Sequence, residues 1–201
     1  MRNFNNWIKS MLINDFADKV KNSKPESYRN HRGQRDISRP EESFTVLDIG
    51  CGKGGDLLKW SKAKIDHLVG VDIAQTSVEQ AKDRYGEMKA RNRHNSNTFS
   101  ADFYAADCTR VDLETVYEDQ NVTFDIVSCQ FAFHYCFESI EQADAMLKNV
   151  SQRLRPGGFF VGTTPDANEI GKSYRYVLQG YNSSKVPFLS LQSSNFPVYI
   201  N

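Results

Sequence analysis

A run of glycines early in the sequence has the spacing of a ligand-binding loop. The segment VLDIGCGKGGD places glycines at positions 50, 52, 54 and 55, between an apolar run and a helix-like one. Glycines let the backbone turn sharply and approach a ligand closely, at a helix N-terminus whose amide hydrogens are free. The spacing fits GxGxxG, the dinucleotide fingerprint, whereas the GxxxxGK[ST] loop of nucleoside triphosphatases is absent. The loop therefore predicts a nucleotide-like ligand, and a plain tight turn is the alternative.

Three apolar runs, the first of which leads into this loop, each contain or end in an acidic residue. Asp48 precedes the first glycine by two residues, Asp72 ends VGVD, and Asp107 ends YAAD. In doubly wound sheets an acid placed like Asp72 reaches the ribose hydroxyls of an adenosine-containing cofactor, and Asp107 is placed to accept from an adenine amino group. We expect all three to line one crevice at the carboxyl edge of a parallel sheet. For Asp72, an exposed strand-end carboxylate is the alternative.

A further acid, Asp56, bears on the class of cofactor. It directly follows the glycines, where a nicotinamide-dependent dehydrogenase would hold a pyrophosphate. A carboxylate repels that dianion, whereas a sulfonium cofactor with an amino-acid end suits the position better. Asp56 therefore argues against a dehydrogenase and is compatible with a sulfonium cofactor.

The stretch SCQFAFHYCFES, residues 128–139, is aromatic but carries Gln130 and His134. Burying an amide or an imidazole without partners is costly. We expect the preceding strand to end near Cys129 and residues 130–135 to form a turn at the mouth of the crevice, where aromatic rings can line a ligand site. A buried Gln and His with satisfied hydrogen bonds are the alternative.

The hydrophobic pattern predicts an α/β fold, because strands alternate with helices. The predicted strands are FTVLDIG, HLVGVDIA, DFYAAD, FDIVSCQ and FFVGTT, with two weak strands possible after residue 171. The predicted helices are the N-terminal segment, GDLLKWSKAK, SVEQAKDRYGEMKAR and a segment from about Ser139 to RPGG. A parallel sheet with helices on both faces follows, and residues 21–43 are expected to form a polar loop.

Two kinds of signal predict the ends and the buried faces of these helices. Thr76 with Glu79, and Ser139 with Gln142, have the spacing of capping boxes. Helical spacing puts one apolar set on each of two helices: Trp7, Ile8, Met11, Leu12, Phe16 and Val20 on the first, and Ile140, Ala143, Leu147, Val150 and Leu154 on the last.

Composition bounds the class of protein. The 201 residues are 39% hydrophobic with a formal net charge of zero, which fits one globular domain and gives no overall field that attracts nucleic acid or a membrane. An anionic substrate must then meet a local basic patch. The four cysteines (Cys51, Cys108, Cys129 and Cys136) form no CxxC pair, so we expect buried free thiols rather than disulfides or a metal site. No apolar run approaches the roughly 18 residues of a membrane span, so we expect a soluble protein.

Several segments together resemble a known family. The acid before the first glycine, the Asp after the third strand and RPGG before the fifth resemble class I S-adenosylmethionine-dependent methyltransferases. RNFNNWIKS, GCGKGGDLLKW, SCQFAFHYCFES and QADAMLKNVSQRLRPGGFFVGTTP resemble the eukaryotic mRNA cap guanine-N7 methyltransferases. The resemblance runs from Arg2 to about Ile170, apart from the polar loop before Ser43. We therefore expect a partial methyltransferase domain over residues 1–170 and an atypical tail of a truncated chain over residues 171–201.

The resemblance implies a Rossmann-like fold with incomplete carboxyl-terminal strands, S-adenosyl-L-methionine as cofactor, and methyl transfer to N7 of the terminal guanosine of capped RNA. Positions that hold the methyl donor match Lys9, Gly50, Asp72, Asp107, Gln130 and Tyr135. Positions around the cap nucleotide match Asn5, Asn6, Lys53, Lys59, Arg84 and His134. It also implies a capped RNA 5′ end (GpppN) as partner, a protein activator or capping-machinery partner, and a nuclear location.

The proposed reaction needs no general base, because N7 of guanine has a lone pair and no proton to remove. We therefore assign no acid–base catalyst and expect the rate to come from alignment and exclusion of water. Lys53, Lys59 and Arg84 are expected to form a cationic pocket for a triphosphate, with solvated surface charge as the alternative. Two other functions stay open: a small-molecule methyltransferase that shares only the donor site, and a non-catalytic short form that binds the donor or a partner protein.

Overall fold

A computed structural model describes residues 2–23, 43–91, 98–165 and 198–200. Its elements in chain order are α1 (Arg2–Ser23), β1 (Thr45–Ile49), α2 (Leu57–Ala63), β2 (His67–Asp72), α3 (Gln75–Arg91), β3 (Ser100–Ala105), β4 (Phe124–Gln130), α4 (Ile140–Ser151), β5 (Leu154–Thr163) and β6 (Val198–Ile200). Short 3-10 helices at Leu113–Thr115 and Phe133–Glu138 precede β4 and α4. Most of the expected polar loop and most of the expected tail lie outside the described residues.

The strands form one parallel sheet in the order β3-β2-β1-β4-β5-β6. This is the doubly wound, Rossmann-like order, in which the direction of winding reverses between β1 and β4. Ligands of such sheets bind in the crevice beyond the carboxyl ends of the strands at that reversal. The α/β prediction is confirmed, and so are all five predicted strands. β6 lies in the tail, where the sequence analysis allowed two weak strands without locating them.

Helices cover both faces of the central strands, which explains their composition. Every residue of β1 and β4 is buried, as is usual for parallel strands packed on two sides. The core cluster on one face includes Phe16, Trp60 and Val78, from α1, α2 and α3. The core cluster on the other face includes Leu113, Met146 and Val150. Among the described residues, no helix combines the length and the apolar character required to cross a bilayer.

One capping prediction is confirmed and the other is wrong. Ser139 Oγ accepts a hydrogen bond from the Gln142 amide at 3.2 Å, directly before α4. Thr76 lies inside the first turn of α3, because the helix already begins at Gln75. The Asp72 carboxylate accepts from the amide of Ala74 at 2.9 Å and organises this helix start instead.

The predicted buried face of α4 is only partly confirmed. Val150 is buried as predicted, whereas Ile140 is 73% and Leu147 45% exposed, and Met146 and Asn149 are buried outside the predicted set. Asn149 fixes this rotation of the helix, because its amide donates to the carbonyls of Cys108 and Val111 and its Oδ1 accepts from the Leu113 amide. The helix ends at Ser151, so Leu154 and RPGG belong to β5, where Gly157 accommodates a positive φ of 80°.

The buried face of α1 differs from the prediction in its first half. Trp7 is 59% and Met11 54% exposed. The buried residues are Ile13, Phe16, Ala17 and Val20. Only the second half of the helix therefore supplies the hydrophobic core, and the first half places polar residues beside α2.

Candidate functional site

The glycine loop connects β1 to α2 at the carboxyl edge of the sheet. Its turn requires positive φ at Gly50 (69°), Gly52 (52°) and Gly54 (67°). A Cβ on Gly50 would lie 2.6 Å from that of Ala132, so this glycine allows the loop to pack against the turn after β4. A Cβ on Gly52 or Gly55 would meet nothing within 4 Å. The loop is therefore closed toward the protein at Gly50 and open at Gly52, where a ligand can approach the backbone.

Asp72 ends β2, and Asp107 follows the neighbouring strand β3. The Asp72 Oδ2 accepts from the amide of Gly52 at 2.8 Å, and so ties the end of β2 to the glycine loop. The Asp107 Oδ1 accepts from both the amide and the hydroxyl of Thr109, and Arg110 lies 3.4 Å from Oδ2. Asp107 follows β3 by two residues rather than ending it, because the strand is Ser100–Ala105. Each carboxylate oxygen has two lone pairs, so both acids retain acceptors for a ligand.

Asp48 lies beneath the site rather than lining the crevice as expected, because its side chain is buried within β1. The Trp60 indole donates to its Oδ2 at 3.4 Å. Burial and, to a lesser extent, the negative charge of Asp56 together raise the pKa of Asp48 to about 7, against the opposing effects of Trp60, Lys9 and Ser128. At neutral pH the protein therefore holds a partly protonated carboxyl under the glycine loop.

A cluster of four polar side chains joins α1 to α2. Asp56 accepts from Lys9 Nζ at 2.9 Å and from Lys59 Nζ at 2.7 Å, and Lys59 also lies 3.3 Å from the Asn6 Oδ1. Three of these residues, Asn6, Lys9 and Lys59, were predicted for the site from the family resemblance. Asp56 was noted in the sequence only for its bearing on the cofactor class. An aspartate directly before a helix is an ordinary cap signal, so the sequence gives no local sign of this role.

Gln130 is a buried amide with partners inside the protein. Its Nε2 donates to Ser128 Oγ at 3.2 Å and to the Val161 carbonyl at 3.4 Å, and its Oε1 accepts from Thr163 Oγ1 at 3.1 Å. Both amide hydrogens of Gln130 therefore have partners inside the protein, as in the alternative of a buried Gln with satisfied hydrogen bonds. One lone pair on Oε1 is left for a ligand. Gln130 is the last residue of β4, one position beyond the expected strand end.

The turn after β4 exposes one ring and leaves one buried atom without a partner. Phe131 has a φ of 60°, which turns the chain into the 3-10 helix that carries His134 and Tyr135. Tyr135 is 71% exposed, and its ring centroid lies 4.2 Å from that of His134. The His134 Nδ1 is buried and has no hydrogen-bond partner among the described residues. An unpaired buried nitrogen is costly unless a ligand or water satisfies it.

The remaining predicted cap residues are less closely associated. Asn5 is half-buried on α1. Lys53 is exposed in the glycine loop, and Arg84 is exposed on α3. Their grouping with Lys59 as a phosphate pocket stays a prediction.

Two other features lie outside this site. A pocket of about 180 Å³ between α3 and β3 is lined by Lys82, Tyr85, Ala101, Asp102, Phe103, Tyr104 and Glu118, none of them a predicted site residue. The four cysteines are free and buried, which confirms that expectation. Burial raises the pKa of Cys108 to about 12 and that of Cys51 further. These thiols are therefore unsuited to act as thiolate nucleophiles.

An adenosine-containing cofactor fits the residues at the carboxyl edge. The open space at Gly52 admits a ligand against the loop backbone, and Asp72 retains acceptor lone pairs beside it. On the other side of the reversal in winding, the Oε1 of Gln130 keeps one lone pair for a ligand.

Comparison with known sequences assigns the family. The sequence model of the mRNA (guanine-N(7))-methyltransferase domain matches residues 1–185. This chain belongs to that family. The mRNA cap guanine-N(7) methyltransferase of Drosophila melanogaster is 49% identical over 177 residues, which are 87% of this chain and 38% of that protein. The protein of the same name from Caenorhabditis elegans is 42% identical over 186 residues, 92% of this chain and 44% of that protein.

The match to the mRNA cap guanine-N(7) methyltransferases covers most of this chain but only part of each relative. The chain spans about two-fifths of the length of these two curated proteins. Among solved structures, an S-adenosylmethionine-dependent methyltransferase from Clostridium acetobutylicum aligns with a TM-score of 0.45 and 20% identity, over 58% of this chain and 40% of its own. That similarity adds nothing to the family assignment, which rests on sequence.

Proposed function

We propose that this chain is an S-adenosyl-L-methionine-dependent methyltransferase domain that acts on N7 of the terminal guanosine of capped RNA. The observation that carries the proposal is the family match over residues 1–185, which includes both the glycine loop and the turn that bears His134. The names of the relatives supply the substrate class, an mRNA cap. The partial coverage of those relatives makes the activity of the chain itself part of the proposal.

We assign the donor side to one residue of α1 and to residues at or beyond the ends of β1, β2, β3 and β4. The residues are Lys9, Gly50, Asp72, Asp107, Gln130 and Tyr135. When bound, the cofactor supplies a methyl group made electrophilic by its sulfonium. The open backbone at Gly52 and the acceptors of Asp72 and Asp107 support this assignment. Tyr135 offers an exposed ring that can cover the ligand.

We assign the cap side to Asn5, Asn6, Lys53, Lys59, Arg84 and His134. Two lysines and an arginine supply positive charge for the triphosphate in a chain of zero net charge. No residue is given the role of a base, because N7 of guanine carries no proton. The residues of the chain instead bind, orient and exclude water, so that nitrogen, methyl and sulfur are in line.

We extend the proposal to a nuclear location and to a protein activator or capping-machinery partner. Both follow from the family and from the substrate class in the names of its members. Fractionation of cells that express the chain with a small tag tests the location, and a cytoplasmic distribution would contradict it.

The test is methyl transfer by the whole chain to a short RNA with a GpppG cap, beside calorimetric titration of S-adenosylhomocysteine. The proposal expects both turnover and binding. Donor binding without turnover supports the second candidate, a non-catalytic form that binds the donor or a partner protein. Turnover on other acceptors that a cap analogue does not inhibit would identify a small-molecule methyltransferase.

A further inference from the structure

Asp56 stands directly before α2, where an aspartate commonly accepts from the first amides of a helix. Its side chain does not cap this helix. The Oδ2 accepts from Lys9 and the Oδ1 from Lys59, and the three side chains are between 10% and 17% exposed. Both oxygens of the carboxylate are thus directed to lysines, one of which is 47 residues away in sequence.

The shared carboxylate has an electrostatic consequence. Two ammonium groups that contact one carboxylate lie close enough to repel each other strongly in a partly buried site. Asp56 offsets that repulsion, and without it the flexible lysine side chains would separate toward solvent. Each ammonium has three hydrogens. Lys9 directs one to Asp56, and Lys59 directs one to Asp56 and one to Asn6, so both retain hydrogens for a ligand.

We propose that Asp56 is the positioning residue that holds Lys9 and Lys59 side by side. The donor and the capped RNA can then bind next to each other in the alignment that methyl transfer needs. The inference rests on the proposed function, which assigns Lys9 to the donor and Lys59 to the cap nucleotide. Asp56 acts through the two lysines rather than on either ligand. Its removal should therefore weaken both ligands, each through the lysine concerned.

The donor arm of the test is calorimetric titration of S-adenosylhomocysteine into the full chain. Asp56→Asn is expected to weaken binding about tenfold, the effect of losing a hydrogen bond to a charged group. Lys9→Met should have a similar effect. The double variant should bind no more weakly than Lys9→Met alone, because Asp56 contributes through Lys9 and the two losses are not additive.

The cap arm repeats this design with the dinucleotide GpppG as the ligand. Asp56→Asn and Lys59→Met are each expected to weaken binding about tenfold, again without further loss in the double variant. The matched control is Asp112→Asn, which breaks another lysine–carboxylate contact of 2.7 Å, between Asp112 and Lys148. It should leave both affinities within about twofold of the unsubstituted chain.

The outcomes separate this inference from the proposed function. If the chain binds S-adenosylhomocysteine but not GpppG, the proposed function is wrong. The titrations of S-adenosylhomocysteine into the Asp56 and Lys9 variants then still test whether Asp56 positions Lys9. Unchanged affinities in Asp56→Asn overturn the positioning role. Additive losses in the double variants also overturn it, because a general destabilisation adds to the loss of a lysine whereas loss of its positioning does not.

Discussion

At the scale of single residues, Asp48 has the least favourable surroundings for its charge. It is buried in the central strand β1, and its pKa is raised to about 7 by burial and then by Asp56. The Trp60 indole and Ser128 partly compensate. A group whose pKa is higher in the folded than in the unfolded state makes stability depend on pH.

The first prediction is that Asp48 lowers the stability of the protein as the pH rises. Between the unfolded value of 3.8 and about 7 the folded chain binds the extra proton, so the free energy of unfolding should fall across that window and level off above it. Asp48→Asn lacks this slope. It should be more stable than the unsubstituted chain by on the order of 3 kcal/mol above pH 7, and by little near pH 4. Urea unfolding at several pH values measures the difference.

Asp112→Asn is the control for that experiment, because the effect of this carboxylate on stability should depend on pH in the opposite direction. Hydrogen bonds from Lys148, Gln152 and the Glu114 amide lower the pKa of the half-buried Asp112 to about 2. Its contribution to stability is therefore present above pH 4 and is lost as the pH falls toward 2. A stability difference for Asp48→Asn that does not change with pH would show that Asp48 does not titrate in this window.

The second prediction concerns His134, whose Nδ1 is buried without a partner among the described residues. If guanine contacts this ring, His134→Ala should weaken GpppG binding about tenfold and leave S-adenosylhomocysteine binding unchanged. The control is His67→Ala, which removes a half-buried histidine at the start of β2 whose Nδ1 is hydrogen-bonded to Ser100 Oγ. Loss of turnover by His134→Ala with full affinity for the cap would contradict its assignment as a binding contact.

At the scale of elements, the glycine loop offers a matched pair of substitutions. Gly52 and Gly157 both have positive φ, and an added Cβ would meet nothing within 4 Å at either position. Alanine should therefore cost each site about 1 kcal/mol of stability, through backbone strain alone. Only Gly52 lies in the loop at the crevice. Gly52→Ala should weaken S-adenosylhomocysteine binding by about tenfold or more, whereas Gly157→Ala should not.

Thermal unfolding and calorimetry of the two alanine variants test this third prediction together. Equal affinities with equal losses of stability would mean that the ligand does not approach the backbone at Gly52. A greater loss of stability at Gly52 would instead indicate packing that the open space around it does not suggest.

The sequence predicted those elements whose signals are local. The β-branched runs and the cap at Ser139 are confirmed because each depends on neighbours within a few positions. Periodicity predicted the burial of Val150 but not the whole buried face of α4, because a polar residue, Asn149, sets its rotation through bonds to the segment before β4. Thr76 failed as a cap because Asp72, an acid at the end of β2, takes over the helix start.

At the scale of the whole molecule, the site depends on contacts between distant segments. The place of Gly50, Asp72 and Gln130 at one edge follows from parallel pairing of β1, β2 and β4, which the sequence pattern predicted. The cluster around Asp56 could not be predicted, because it needs α1 to pack beside α2 across 47 residues. The satisfied amide of Gln130 likewise depends on its partners in β5.

At the amino-terminal ends of the strands, opposite the glycine loop, an ion pair connects β4, β5 and the residues at the start of β1. Arg155 in β5 donates to both oxygens of Asp125 in β4, at 2.9 and 3.0 Å, and to the Ser43 carbonyl before β1. Asp125 in turn accepts from the amide of Thr45 at 2.9 Å. Ligands bind at the carboxyl ends of such sheets, so this network is expected to support the fold without contacting a ligand.

The final prediction is that Arg155→Met separates stability from binding. Asp125 is 8% and Arg155 29% exposed, so removing the guanidinium should lower the free energy of unfolding by about 2 kcal/mol, because a buried carboxylate loses a charged hydrogen-bond donor. Affinity for S-adenosylhomocysteine below the unfolding transition should change less than about twofold. Arg91→Met, which removes an exposed pair with Glu87, should cost less than about 0.5 kcal/mol. If Arg155→Met lowers donor affinity in parallel with stability, the amino-terminal and carboxyl-terminal ends of the strands are coupled.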